Sequence, residues 1–148
     1  MNEHRRAYIV LLDDRRLDIV IHARLGVADL ALMVASHCRL RDPDKMFFGL
    51  AYLDNMQDLH WLNPDRYVLD YDYPRKIDNA GETSFTLYHL VKFYVESITE
   101  LIYPSAVELF FLQAKAALTK ETLTYAKVET VHILLSYILQ AILGDYTE

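Results

Sequence analysis

Apolar residues come in short blocks through the first two thirds of the chain and at helical spacing in the last third. Residues 7–12, AYIVLL, are an unbroken apolar run and predict a buried strand. Residues 17–22, LDIVIH, are short and β-branched and predict a second strand. The polar run Asp13-Asp14-Arg15-Arg16 between them makes the pair a hairpin. Val27, Leu30, Ala31, Val34, Ala35 and Cys38 follow Gly26 at the spacing of one helix face. That helix should end before Pro43, because proline disfavours helix in the residue preceding it. Residues 46–53, 59–62 and 85–95 predict three further strands. Asp54-Asn55 is turn chemistry, 72–76 a loop and 77–84 an exposed connection.

The order is strand, strand, helix, then three strands. A hairpin whose following helix crosses one face of the sheet is the β-grasp, or ubiquitin-like, pattern. The rest of the chain predicts helices. Ser105-Ala106-Val107-Glu108 reads as a capping box at the start of a helix over 105–120, with Val107, Phe110, Phe111, Ala114, Ala117 and Leu118 inward. A second helix, 124–143, has a core stripe of Val128, Val131, Leu135, Ile138 and Ile142. His132, Ser136 and Gln140 form one thin polar stripe on it, and Gly144 is placed to end it. The expected fold class is therefore α+β: a ubiquitin-like lobe at 7–97 and the start of an all-α lobe at 104–148. Two helices cannot cover so apolar a surface. The expectation is that a partner, a second copy or further chain covers it, with self-association through 105–120 and 124–143 as one outcome. Met1 and its short polar lead-in read as a natural start.

The full chain has 148 residues, 53% of them hydrophobic and 24% charged, which excludes disorder for most of its length. Its net charge is -6, shared evenly between residues 1–97 and 98–148, and this argues against nucleic acid as a partner. The single cysteine, Cys38, excludes an internal disulfide and fits a reducing compartment. The most apolar run, Val131–Leu143, has 13 residues, His132, Ser136 and Gln140 among them, short of the roughly 20 that span a bilayer.

No candidate chemistry gathers into a catalytic set. Cys38 lies on the apolar helix stripe, so its neighbour His37 points elsewhere and a buried structural thiol is the plainer reading. His22, His37, His60 and His89 lack metal-ligand spacing. Asp70, Asp72 and Asp78 have no nucleophile elbow or glycine-rich loop beside them. The expectation is no enzyme, no metal and no cofactor. Trp61 and Tyr67 near Pro64 suggest a peptide pocket, with core packing the commoner role. Arg5, Arg6, Arg15 and Arg16 around the first hairpin are candidates for weak contact with anionic lipid.

Several of these segments resemble the FERM domain, a three-lobed membrane–cytoskeleton adaptor module. Its first-lobe signature is matched by Trp61, Leu62, Arg66 and Val68 and, at its end, by Phe93, Tyr94 and Ser97; Tyr71 departs where the family prefers Gln or His. In the second lobe, Phe110, Phe111 and Gln113 fall in a segment similar to the family's LFFLQ helix. Ser136, Tyr137, Gln140, Gly144, Asp145 and Tyr146 fall in one similar to its last helix. The resemblance implies a ubiquitin-like lobe followed by an incomplete helical lobe of acyl-CoA-binding-protein type. It implies a non-enzymatic scaffold in the cytoplasm, peripheral at the plasma membrane, cytoskeleton or cell junctions. LLDDRRLDI, DLALMVASH, FFGLAYLD, HWLNPDRYVLDYDYPRK and VKFYVES are similar to the FERM domain-containing 4 type of scaffold. That similarity implies junction and polarity partners and exchange factors of the cytohesin class. The alternative is the targeting module of a larger FERM-containing enzyme such as a tyrosine phosphatase.

Overall fold

The computed structural model describes residues 4–95 and 100–119, with side chains as far as residue 116. Two compact units result. The first takes residues up to His37 and Gly49–Leu90; the second takes Cys38–Phe48 and the described residues from Val91 on.

The first unit is built on a mixed sheet. Strand β1 (His4–Val10) pairs antiparallel with β2 (Arg16–His22), with Ala7 opposite Ile19. The turn between them is tight: Asp14 has φ 68°, and its amide donates to the Leu11 carbonyl at 3.0 Å. The Asp13 carboxylate accepts the Arg15 amide at 3.1 Å, the local side-chain bond that makes aspartate a turn residue. Helix α1 (Val27–His37) follows, then β3 (Phe48–Leu53), β4 (Leu59–Trp61), β5 (Lys76–Ile77) and β6 (Thr83–Val91). The strand order is β2-β1-β6-β3-β4, with β1 and β6 parallel and β5 paired to β6. This is the expected β-grasp order.

One sheet face is apolar and buried. Ala7 and Ile9 of β1, Ile21 of β2, Leu50 of β3 and Phe85, Leu87 and His89 of β6 are each 2% exposed or less. Alternation along β6 puts Phe85, Leu87 and His89 on one face. Val27, Leu30, Val34 and Ala35 of α1 are buried with them, whereas Ala31 is half-buried. The helix ends at His37, ahead of Pro43, because Arg39 turns left-handed at φ 58°.

Several boundaries differ from expectation. Asp44–Phe47 is a turn of 3-10 helix, so β3 begins at Phe48 rather than at residue 46. Lys76 and Ile77, expected in or beside loops, form β5. The last strand begins at Thr83 and stops at Val91 rather than 95. Beyond it the Lys92 and Phe93 amides turn away to donate to the Phe47 carbonyl at 2.8 and 3.0 Å.

In the second unit, helix α2 runs Pro104–Thr119. Proline suits its first position, where no amide is needed. The capping box is not formed. Tyr103 caps the helix, its carbonyl accepting from Ala106 and Val107, and the Ser105 hydroxyl donates instead to the Arg39 carbonyl at 2.9 Å. The buried Asp44 carboxylate accepts the Ile102 amide at 3.0 Å and the Tyr103 amide at 2.7 Å, just ahead of α2. A negative charge suits that end of a helix. Phe110, fully buried, meets Phe47, Phe48 and Tyr94 edge-on. The expected helix 124–143 lies outside the described residues, as does Ser97.

Candidate interaction surface

The segment after β4 is a brace for the start of α1. The Leu62 amide donates to the Leu50 carbonyl at 2.8 Å, tying the end of β4 back to β3. The Arg66 carbonyl accepts from Val27 and the Leu25 carbonyl accepts from Val68, both at 2.9 Å. Leu62 and Val68 are buried and Trp61 is half-buried, while the Arg66 side chain faces solvent. These four positions therefore act through backbone and core, with only Arg66 offered outward. Tyr67 is 49% exposed, which corrects the expectation of core packing for it.

Tyr71 departs from the family pattern yet keeps a structural task. Its hydroxyl accepts the Asn63 amide at 2.8 Å, and its ring lies 6.0 Å from those of Tyr52 and Tyr73. The Tyr73 hydroxyl donates to the Val68 carbonyl, and its ring stacks on Phe85 at 4.2 Å. Burial pushes the Tyr73 hydroxyl well above its ordinary pKa. At the edge of this aromatic group His60 stacks on Tyr52 and bonds the Asp54 carboxylate at 2.7 Å, which holds Asp54 below its usual range.

In the second unit, Gln113 holds both polar groups of Val91. Its side-chain oxygen accepts the Val91 amide at 2.7 Å and its nitrogen donates to the Val91 carbonyl at 3.3 Å and to the Tyr94 hydroxyl. Phe93 is 56% exposed and Phe111 half-buried. Ser136, Tyr137, Gln140, Gly144, Asp145 and Tyr146 lie outside the described residues.

The four arginines around the hairpin do not form one patch. Arg5 and Arg6 are strand neighbours and point to opposite sheet faces. Arg5 lies over the Phe85 ring at 4.8 Å on the buried side. Arg6 is engaged by Asp18 at 2.5 Å and Glu82 at 3.1 Å on the open face. Arg15 is paired with Asp13 at 2.7 Å inside its own turn, and Arg16 lies over Tyr8 at 4.7 Å. The structure instead brings Arg5 and Arg6 to Arg75, from a loop far along the chain. With His4, Glu82 and Thr83 they line a cleft of about 500 Å³. Partial burial and the nearby Arg75 charge lower the Arg5 pKa, while Tyr73 and Asp72 act against that shift.

A second groove, of about 300 Å³, is lined by Leu53, Asp54, Arg75, Lys76, Thr86 and Tyr88. The Thr86 hydroxyl is buried there without a hydrogen-bond partner among the described residues. Arg75 and Thr86 carry no site signal of their own in the sequence, and only the fold brings them to these clefts. No group of three metal-binding side chains and no helix long and apolar enough to cross a membrane occurs among the described residues.

Comparison with known proteins agrees with this architecture. Residues 9–73 match the family model described as FERM N-terminal domain. Merlin of Homo sapiens is 38% identical over 102 residues, which is 68% of this chain and 16% of that protein. Moesin/ezrin/radixin homolog 1 of Aedes aegypti is 35% identical over 103 residues, 69% of this chain and 16% of that protein. The chain thus spans about one sixth of these relatives. Among solved structures, the FERM and C-terminal domain complex of Drosophila Merlin superposes with a TM-score of 0.66 at 25% identity. That match covers 95% of this chain and 44% of that one. The MyTH4-FERM MF2 domain of Dictyostelium discoideum myosin VII gives 0.56 at 12% identity over 82% of this chain and 27% of its own, a likeness of fold alone.

Proposed function

We propose that the chain, whose residues 9–73 match the FERM N-terminal domain family model, is a non-enzymatic interaction module. It links membrane or cell-junction proteins to cytoskeletal, polarity or Arf-exchange-factor partners. The observation that carries this reading is the match of residues 9–73, extended by the fold likeness to the FERM part of Drosophila Merlin over 95% of the chain. The FERM domain-containing 4 type of scaffold and cytohesin-class exchange factors are the finer form of the same proposal. It rests on the segments LLDDRRLDI, DLALMVASH, FFGLAYLD, HWLNPDRYVLDYDYPRK and VKFYVES.

The arrangement of the surface supports protein rather than lipid as the main partner of this region. Arg6 and Arg15 already hold carboxylates, so two of the four hairpin arginines have little charge to offer an anionic bilayer. Affinity capture with the full-length protein tests the reading. The expected result is a set of membrane-associated and cytoskeletal proteins whose recovery falls when residues 4–95 are removed. Recovery of the same set without those residues overturns it.

A further inference from the structure

The register of the first hairpin places His4 directly opposite His22. Both side chains are exposed on the open face of the sheet. His22 Nδ1 and His4 Nε2 stand 2.9 Å apart, with the rings edge to face at 4.3 Å between centroids. From this geometry we infer that the two imidazoles form a cross-strand chelate for a divalent transition-metal ion of the copper type.

In the chain as it stands the two facing nitrogens hydrogen-bond to each other at 2.9 Å, so both rings must turn to aim their lone pairs at one ion. Two nitrogens bound at about 2.05 Å and at right angles around one ion are again about 2.9 Å apart, so the turn asks little movement of the strands. Affinity selects the ion: imidazole nitrogen is a donor for the late first-row divalent metals, and Cu(II) is bound most tightly of them, ahead of Ni(II) and Zn(II). The proton of the hydrogen bond moves through solvent to the other nitrogen of the ring that carried it, which frees both facing nitrogens for the metal.

The surroundings allow a cation. Arg6 is the nearest charge along β1 on the same face, but its guanidinium reaches toward Asp18 and Glu82 and is balanced by them. Arg5 points to the opposite face, over Phe85. Among the described residues no third His, Cys, Asp or Glu joins the pair. Sequence spacing conceals the site, because its two ligands are 18 positions apart and meet only through strand register.

The test is a Cu(II) titration of the untagged chain, followed by electron paramagnetic resonance in a weakly competing glycine buffer. The expected result is one site with an axial spectrum and coupling to two imidazole nitrogens. His4→Gln and His22→Gln should each weaken it tenfold or more, and His60→Gln should leave it unchanged. Cu(II) should also raise the urea midpoint of the wild type and of neither variant, since a ligand held by both strands favours the folded state. Copper binding that survives His22→Gln would assign the ion to His4 alone and overturn the chelate. So would a spectrum with a single coupled nitrogen, or equal binding by the double variant.

Discussion

His89 should dominate the response of the first unit to mild acid. It lies on the buried face of β6 beside Leu87 and is 2% exposed. Burial disfavours its charged form and lowers its pKa to about 4 from an ordinary 6.5. The unfolded chain therefore binds more protons than the folded one between these values, and stability must fall as pH falls through that window. Each pKa unit is worth about 1.4 kcal/mol, so the full shift corresponds to about 3 kcal/mol, of which about 2.5 kcal/mol is expressed by pH 4.5. The aspartates held low by partners, Asp18 and Asp54, lose their contribution only below their ordinary 3.8 and leave this window clear. His89→Gln removes the titration. Urea unfolding at pH 7 and pH 4.5 should show the wild type losing about 2.5 kcal/mol more than the variant, whatever the variant's stability at neutral pH. Equal losses in the two proteins would refute the assignment.

Four further outcomes follow from single contacts. Asp44→Ala should cost about 2–3 kcal/mol in the second unit, because two amides lose a buried charged acceptor, and hydrogen exchange at Ile102 and Tyr103 should quicken. Gln113→Ala should cost about 1–2 kcal/mol, read from faster exchange at the Val91 amide, which loses its acceptor. Val34→Asp places a charge at a site 1% exposed and should abolish the cooperative unfolding of the first unit, a loss of several kcal/mol visible by circular dichroism. Sedimentation with anionic vesicles at physiological salt should recover little of the chain, and Arg15→Glu with Arg16→Glu should change that little, since Arg15 is already paired.

The order of the main elements along the chain was legible because each main strand is a block of apolar or β-branched residues and α1 repeats its apolar positions with helical period. The misses have local causes. Lys76 and Ile77 pair as a strand of two exposed residues, too short to show alternation. Residues 93–95 are apolar or aromatic and read as more strand, but the Phe47 carbonyl draws the Lys92 and Phe93 amides out of the sheet, and no sequence pattern reports such a capture. The capping box at Ser105 failed for a similar reason, since Tyr103 takes the cap and the hydroxyl finds Arg39. Among candidate surface residues, the arginines were legible as charges but not as neighbours. Strand alternation separates Arg5 from Arg6, ion pairs occupy Arg6 and Arg15, and the fold delivers Arg75 from a distant loop.

The proposed role of this chain is that of an interaction module. Proximity labelling in cells measures it most directly, comparing the full-length protein with its Val34→Asp form, whose first unit should be unfolded. The account predicts labelling of cortical, junctional and cytoskeletal proteins by the intact protein and loss of that labelling in the variant. An identical labelled set from both proteins would contradict it.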